Sequence, residues 1–356
     1  MKKYLALTVL ILAAASLVFA AYPYEYPLYL GMLGFSKDEI HDLQGGRLHT
    51  HSIKNKAPGE IGIVAAKVSN VPVYYFRDYY EYIENYKTLL SFQQVGKFKT
   101  KPNLQDLKPL ILSKEELQDY VSCTVGDCRL KLSTEEIKAI PKTVDLNTDA
   151  DRERVSDSYR QVLLKRLVDY QKGGMDALSG YQDSPEDSTP AAILNGHLLK
   201  FQDMLAYFPI TTRYLREYPR YKNKLIEEFF FWSKDSQGNK PVLSLRHVFS
   251  QKVGEDYLVV NKLIYSDHYL LSSISVMHLI NYADQGGPRT LMVLEQRSLT
   301  DLKGDPFAGF GRNILRVNME KRMVAGLKNV GQTMEDRYRN HVYDGFPFGL
   351  IPRDQR

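Results

Sequence analysis

The sequence predicts an α+β fold, with an antiparallel sheet, a helical block and a long C-terminal helix. Three observations carry this. From Phe229 to Thr300 apolar residues recur with a period near two, as in PVLSLRHVFSQ and RTLMVLEQRSLT, which marks strands. Between residues 100 and 228 the period is helical, and two Ser-led capping boxes punctuate it. From Ile314 onward Met323, Leu327, Val330, Met334 and Tyr338 fall on one stripe of a single helix.

The chain opens with MKKYLALTVLILAAASLVFA, which has the charged start, apolar stretch and small residues of a secretory signal, cut after Ala20. Its apolar stretch is short for a membrane span, which needs about 20 residues. A retained N-terminal anchor is the alternative. Residues 21–58 read as an aromatic arm, a short helix and a strand. Ser36 and Glu39 form a capping box, and Gly45 and Gly46 stop the helix. RLHTHSIKN alternates like a strand, Pro58 and Gly59 make a turn, and EIGIVAAKVS completes a hairpin. Asn70 and Pro72 then open a helix with Val73, Phe76, Tyr80, Ile83 and Leu90 at near-helical spacing. LLSFQQVGKFK leads from it into another strand.

Capping boxes at Ser113 with Glu116 and Ser133 with Glu136 start two further helices. Asp151 to Gln171 carries an amphipathic stripe including Val155, Tyr159, Leu163 and Tyr170, and Gly173 with Gly174 ends it. QDSPEDSTP, residues 182–190, is a polar loop. ILNGHLLKFQDMLAYF and RYLREYPRYKNKLIEEFFFW are expected to add helical pieces, broken at Pro209 and Pro219. In the strand region, the stretch from Asp256 to Ala283 is too long for one ordinary strand, so a break is expected near Ser266 and Asp267. GDPFAGFGRN is expected to be a loop. In the last helix Gly326 and Gly331 each cost about 1 kcal/mol, which suits a site where a sheet or ligand comes close. Residues 341–356 form a tail.

Composition narrows the function classes. Apolar residues at 44% and charged residues at 25% are ordinary for a globular chain and unlike a disordered one. The net charge is +5, and loss of Lys2 and Lys3 with the signal leaves about +3 without any basic run. Nucleic-acid binding therefore has no support. The two cysteines, Cys123 and Cys128, flank the Gly126–Asp127 turn, and in an oxidising compartment such a pair is a structural disulfide. A redox pair needs C-x-x-C, and zinc needs more ligands than lie nearby. His49 and His51 share one side of a strand without a third metal ligand, so no metal or cofactor is expected. GFGRNI lacks the last glycine and the setting of a dinucleotide fingerprint, and the P-loop, G-x-S-x-G and H-E-x-x-H signatures are absent.

The order of elements resembles the START-like, helix-grip superfamily, which includes the polyketide cyclase-like proteins. The resemblance rests on the strand EIGIVAAKVSN, the Val-Pro turn into VPVYYFRDYYEY, the antiparallel strands, and GDPFAGFGRNILRVNMEKRM before the last helix. It covers residues 59–99 and 229–340 as the two parts of one START-like domain, with 100–228 as a helical insertion larger than the family places there. Cys123 to Leu132 is similar to a C-x-x-G-D-C-x-x-K-L element of uncharacterised exported bacterial proteins. The resemblance implies a curved sheet wrapped around the long helix and an apolar cavity between them, in a family whose members bind lipids, sterols and other hydrophobic ligands.

On that basis Phe76, Tyr80, Met323 and Leu327 are candidate cavity walls, and core filling is the competing reading for such rings. His247, Lys262, Tyr265, His268, Tyr269 and Glu295 are the candidate polar groups for a headgroup. LSLRHVF puts Leu243, Leu245, His247 and Phe249 on one apolar face, and Lys262 shares a face with His268 on an extended chain. The expected function is non-catalytic binding of a hydrophobic molecule or lipid by an exported protein, periplasmic or extracellular, with peripheral membrane contact as a further expectation. The alternatives are an enzyme in this scaffold with His247 or His268 as general base, and an envelope interaction protein with a filled core.

Overall fold

In the computed structural model the described residues are 26–53, 59–80, 92–181, 189–198, 208–237, 240–282, 287–301 and 308–343. The expected signal, most of the polar loop at 182–190 and all but the first residues of the tail lie outside them. The chain divides into two compact units between Asp42 and Leu43. The first contains α1 (Tyr26–Met32) and most of α2 (Lys37–Gln44). The expected capping box is present at α2, where Ser36 N donates to Glu39 Oε2 at 2.9 Å and Glu39 N donates back to Ser36 Oγ at 3.3 Å.

The second unit is built on one antiparallel sheet. β1 (His49–Ser52) and β2 (Glu60–Ser69) pair as the expected hairpin, with His51 opposite Val64. α3 (Val73–Tyr80) follows, then β3 (Gln94–Lys97). The helical block contains α4 (Lys114–Val121), α5 (Thr134–Lys138), α6 (Asp149–Gly173), α7 (Pro190–Leu198) and α8 (Pro209–Glu217). Ser113 and Ser133 close reciprocal capping boxes with Glu116 and Glu136, as their spacing predicts. β4 (Ile226–Gln237), β5 (Lys240–Val253), β6 (Asp256–Ser266), β7 (Leu270–Asn281) and β8 (Thr290–Thr300) run as a meander, and α9 (Ala308–Tyr343) ends the fold. The strand order is β1-β2-β8-β7-β6-β5-β4-β3, so the sheet curves without closing and both edges are four-residue strands. Edges that short offer little template for unwanted pairing.

Two element assignments differ from expectation. KLIEEFFFW was expected to be helical, yet Ile226 onward is strand β4. Phe229 and Phe231 lie toward one covered face while Phe230 and Trp232 lie toward the other, so a run of rings is buried by alternation. GDPFAGFGRN was expected to be a loop, and its described part is already helical from Ala308. The expected break between β6 and β7 is present, spanning Asp267 to Tyr269, and Tyr269 takes φ 58° there.

Helices cover both faces of the sheet. On the inner face, Phe76 of α3 and Met323, Leu327, Val330 and Met334 of α9 pack against Ile63, Val259, Met277 and Met292. On the outer face, α4 to α6 pack against Phe230, Trp232, Leu245 and Tyr265. This is why β6 reads DYLVVNKLIYS and is buried along almost its whole length. Gly331 answers the expectation of a close approach, since a Cβ there would sit 3.2 Å from Lys67 Nζ and 3.4 Å from Met292 Cε. Among the described residues no helix is long and apolar enough to cross a membrane.

Candidate functional sites on two faces of one sheet

Strand parity sorts the polar residues. Val248 and Leu263 belong to the inner core, and Asn261 and Arg246 are their cross-strand partners. Asn261 and Arg246 therefore face α9 as well. Arg322, between Met319 and Met323 on α9, reaches across to Asp235 of β4 at 3.0 Å. Ser273 and Ser298 share a 2.9 Å hydrogen bond, and both are buried. The inner face is thus largely apolar, with Asp235, Arg246 and Asn261 as polar positions on β4 to β6 and the serine pair on β7 and β8.

Arg246 is the group this environment serves least well. It is 9% exposed, its Nη1 donates to Asn261 Oδ1 at a long 3.5 Å, and its Nε has no acceptor among the described residues. Burial pushes the guanidinium down to about 10, Asp235 opposes that, and Arg322 adds to it. It stays charged at neutral pH. A buried charge with an unmet donor costs several kcal/mol unless something pairs with it.

The outer face carries a tighter network. His247 of β5 is fully buried, with Phe230 stacked on it at 4.5 Å between centroids. Its Nδ1 lies 2.8 Å from Tyr170 Oη of α6, and its Nε2 lies 2.6 Å from Glu228 Oε2 of β4. Tyr214 Oη of α8 donates to the same Glu228 oxygen at 2.7 Å. Burial pushes His247 down to about 4, against the pull of Glu228, so the ring is neutral. Burial raises Glu228, but the hydrogen bonds from His247 and Tyr214 outweigh it and hold the carboxyl below its ordinary value. A carboxylate only accepts, so Nε2 carries the proton and Nδ1 accepts from Tyr170. Both ring nitrogens are thus engaged, one by a buried tyrosine hydroxyl and the other by a carboxylate.

Lys262, opposite His247 on β6, completes this network. It is 2% exposed, and its Nζ sits 4.8 Å from the centroid of Tyr170 and 5.8 Å from that of Tyr218. It makes no hydrogen bond among the described residues. Burial pushes the amine down to about 7, with Glu228 pulling the other way.

A second outer-face cluster is structural in character. A register shift opposite Leu245 and Arg246 turns Tyr265 to the same side as Lys262. The Arg166 guanidinium covers the Tyr265 ring at 4.4 Å and pairs with Glu136 at 2.5 Å. Asp267 accepts from Leu243 N at 2.9 Å, and burial pushes its carboxyl up to about 7. The Cys123 and Cys128 sulfurs are at disulfide distance, as expected, around a turn where Gly126 takes φ 84°. Just beyond it, Lys131 pairs with Asp301 and its N–H donates to the Asp267 carbonyl.

The residues singled out from sequence do not converge on one cavity. Phe76, Met323 and Leu327 lie in the inner core, and Tyr269 packs at its border. The side chain of Tyr80 lies outside the described residues. His247, Lys262 and Tyr265 lie on the opposite, outer face, and His247 and Lys262 gather around Glu228 rather than Glu295. Glu295 is on the outer side of β8 with Arg297 Nε at 2.6 Å. His268 sits in the β6–β7 turn, where burial and then Lys131 push it down to about 4. Sequence reasoning missed Glu228, Tyr170, Tyr214 and Arg246. Treating IEEFFFW as a strand would have put Glu228, Phe230 and Trp232 on one face. The even positions of LSLRHVF, Ser244, Arg246 and Val248, would have given the inner face.

No protein-family profile and no curated protein matches the chain. Among solved structures it is similar to the Zhui aromatase/cyclase from Streptomyces sp. R1128, at 15% identity and a TM-score of 0.25, over 40% of this chain and 85% of that one. It is also similar to an uncharacterised protein from Rhizobium leguminosarum, at 11% identity and a TM-score of 0.15, over 34% of this chain and 83% of that one.

Proposed function

We propose that this chain is an exported, non-catalytic binding protein for an amphipathic small molecule with an acidic group. The ligand's acid pairs with Arg246 on the inner face of the sheet, and its apolar part lies along the methionine-rich stripe of α9. The observation that carries this reading is the unmet Nε of buried Arg246, on the face that also bears Arg322 and Asn261. A carboxylate or phosphate satisfies such a fork in a bidentate way that no neutral partner matches. Met319, Met323 and Leu327 are buried beside Arg322 along α9 and suit an aliphatic guest, since flexible thioethers adapt to irregular shapes. Burial of that guest contributes about 25 cal/mol per Å², and the charge-assisted bond adds about 1.5–3 kcal/mol. The disulfide pair fits an oxidising compartment.

The test is titration with a fluorescent fatty acid and its uncharged alcohol analogue, on the wild-type chain and on Arg246→Met. The reading expects the acid to bind more tightly than the alcohol, and Arg246→Met to erase that preference with a loss of about tenfold or more. Equal binding of acid and alcohol, or no binding of either by a folded chain, overturns it.

A further inference from the structure

Lys262 has no part in the reading above, because it lies on the other face of the sheet. Its amine is buried, makes no hydrogen bond among the described residues, and lies over the faces of Tyr170 and Tyr218, with His247 across the strand pair and Glu228 acting on it through charge alone. Cation–π contact is a partial substitute for water, and the tyrosine rings leave the nitrogen without an acceptor that would hold its protons. We propose that Lys262 is a nucleophilic amine site that takes up small aldehydes as an imine within the tyrosine box on the outer face.

The chemistry closes without any further reagent. The neutral amine attacks the carbonyl carbon, a C–N bond forms, and the carbonyl π pair moves to oxygen, which takes up the proton lost by nitrogen. The C–O bond of this carbinolamine then breaks, oxygen leaves as water with the second nitrogen proton, and the C=N bond forms. Aldehyde and amine thus become imine and water with no net proton change. A neutral imine suits this box better than an ammonium, because the burial cost of the charge disappears. Glu228, whose side chain is 36% exposed, is the solvent-facing member of the neighbouring chain Tyr214–Glu228–His247–Tyr170. The depressed basicity of Lys262 adds to the geometry. An amine titrating at about 7 has about a thousandfold more free base at neutral pH than an ordinary lysine. Desolvated lysines of this kind are the ones that form Schiff bases. The rings favour a small aldehyde with an apolar or aromatic substituent.

The test uses the full mature chain, benzaldehyde and cyanoborohydride at pH 7, with labelled lysines located by peptide mass spectrometry. Exposed Lys252 serves as the internal reference. The proposal expects a single benzyl group on Lys262 at a rate about tenfold or more above Lys252. It also expects that ratio to fall as the pH rises to 10, where all lysines become free bases. Labelling that follows surface exposure and leaves Lys262 unmodified until the chain is unfolded in urea overturns it. Arg246→Met is expected to label at Lys262 like the wild type, so failure of the inner-face reading leaves this result intact.

Discussion

Replacing Lys262 by Met tests the electrostatics of the outer face in one step. Methionine keeps a stem of similar length and removes the charge. The folded-state titration point of Lys262 is about 7, against an ordinary value of 10.5. Between those values the unfolded chain holds a proton that the folded chain has lost, so stability from this group rises with pH across that window. Below pH 7 both states are charged, and the folded state bears the full desolvation cost. At about 1.4 kcal/mol per unit, that cost is on the order of 5 kcal/mol, before loss of the tyrosine contacts is set against it. Lys262→Met is therefore expected to be more stable than the wild type by about 2–4 kcal/mol at pH 6, and the gap is expected to close almost completely by pH 10. Urea unfolding of both proteins at pH 6, 8 and 10 measures it, and the difference cancels every group the two share. A gap independent of pH, or a variant less stable at pH 6, refutes the argument that Lys262 is a desolvated amine.

Other expectations follow from the same packing. Asp267→Asn keeps an acceptor for Leu243 N and removes a carboxyl that burial raises from 3.8 to about 7. Across that window the folded chain keeps a proton that the unfolded chain has lost, so wild-type stability from this group falls as pH rises. The variant should match the wild type near pH 4 and exceed it at pH 8 in the same assay. Gly96→Ala would place a Cβ 2.6 Å from Trp232 Nε1, on a ring whose N–H already donates to Asp106 O at 2.8 Å. It should destabilise by about 1–3 kcal/mol and shift the emission of the protein's single tryptophan. Gly331→Leu should cost a similar amount, about 1–3 kcal/mol by thermal melting, because β2 and β8 lie directly against α9 there.

Much of the architecture was legible because local signals agreed with one another. Ser36, Ser113 and Ser133 announced helix starts that the fold uses, and EIGIVAAKVS announced β2 and its hairpin with β1. The methionine stripe of α9 was legible because a long helix shows 3.6 periodicity to its last turn. The site was less legible, for a physical reason. Period two assigns residues to two faces but does not say which face fronts which helix. With both faces covered, His247 and Arg246 are neighbours in sequence and lie on opposite sides of the sheet. The four consecutive rings Phe229 to Trp232 show no alternation of their own and let IEEFFFW read as the end of a helix, and Glu228 was hidden with it. The register shift beside Leu245 and Arg246 then moved Tyr265 across, which no pattern in KLIYSDHYLL announces.

What meets Arg246 decides whether the inner face holds a ligand. A high-resolution crystal structure of the chain, purified without solvent extraction, would show it. The expected result is density for an acidic group within hydrogen-bond distance of Arg246 Nε, continuing as an apolar chain along Met319 and Met323. An Arg246 Nε bonded to a protein acceptor, with side chains filling the inner face around it, would contradict it.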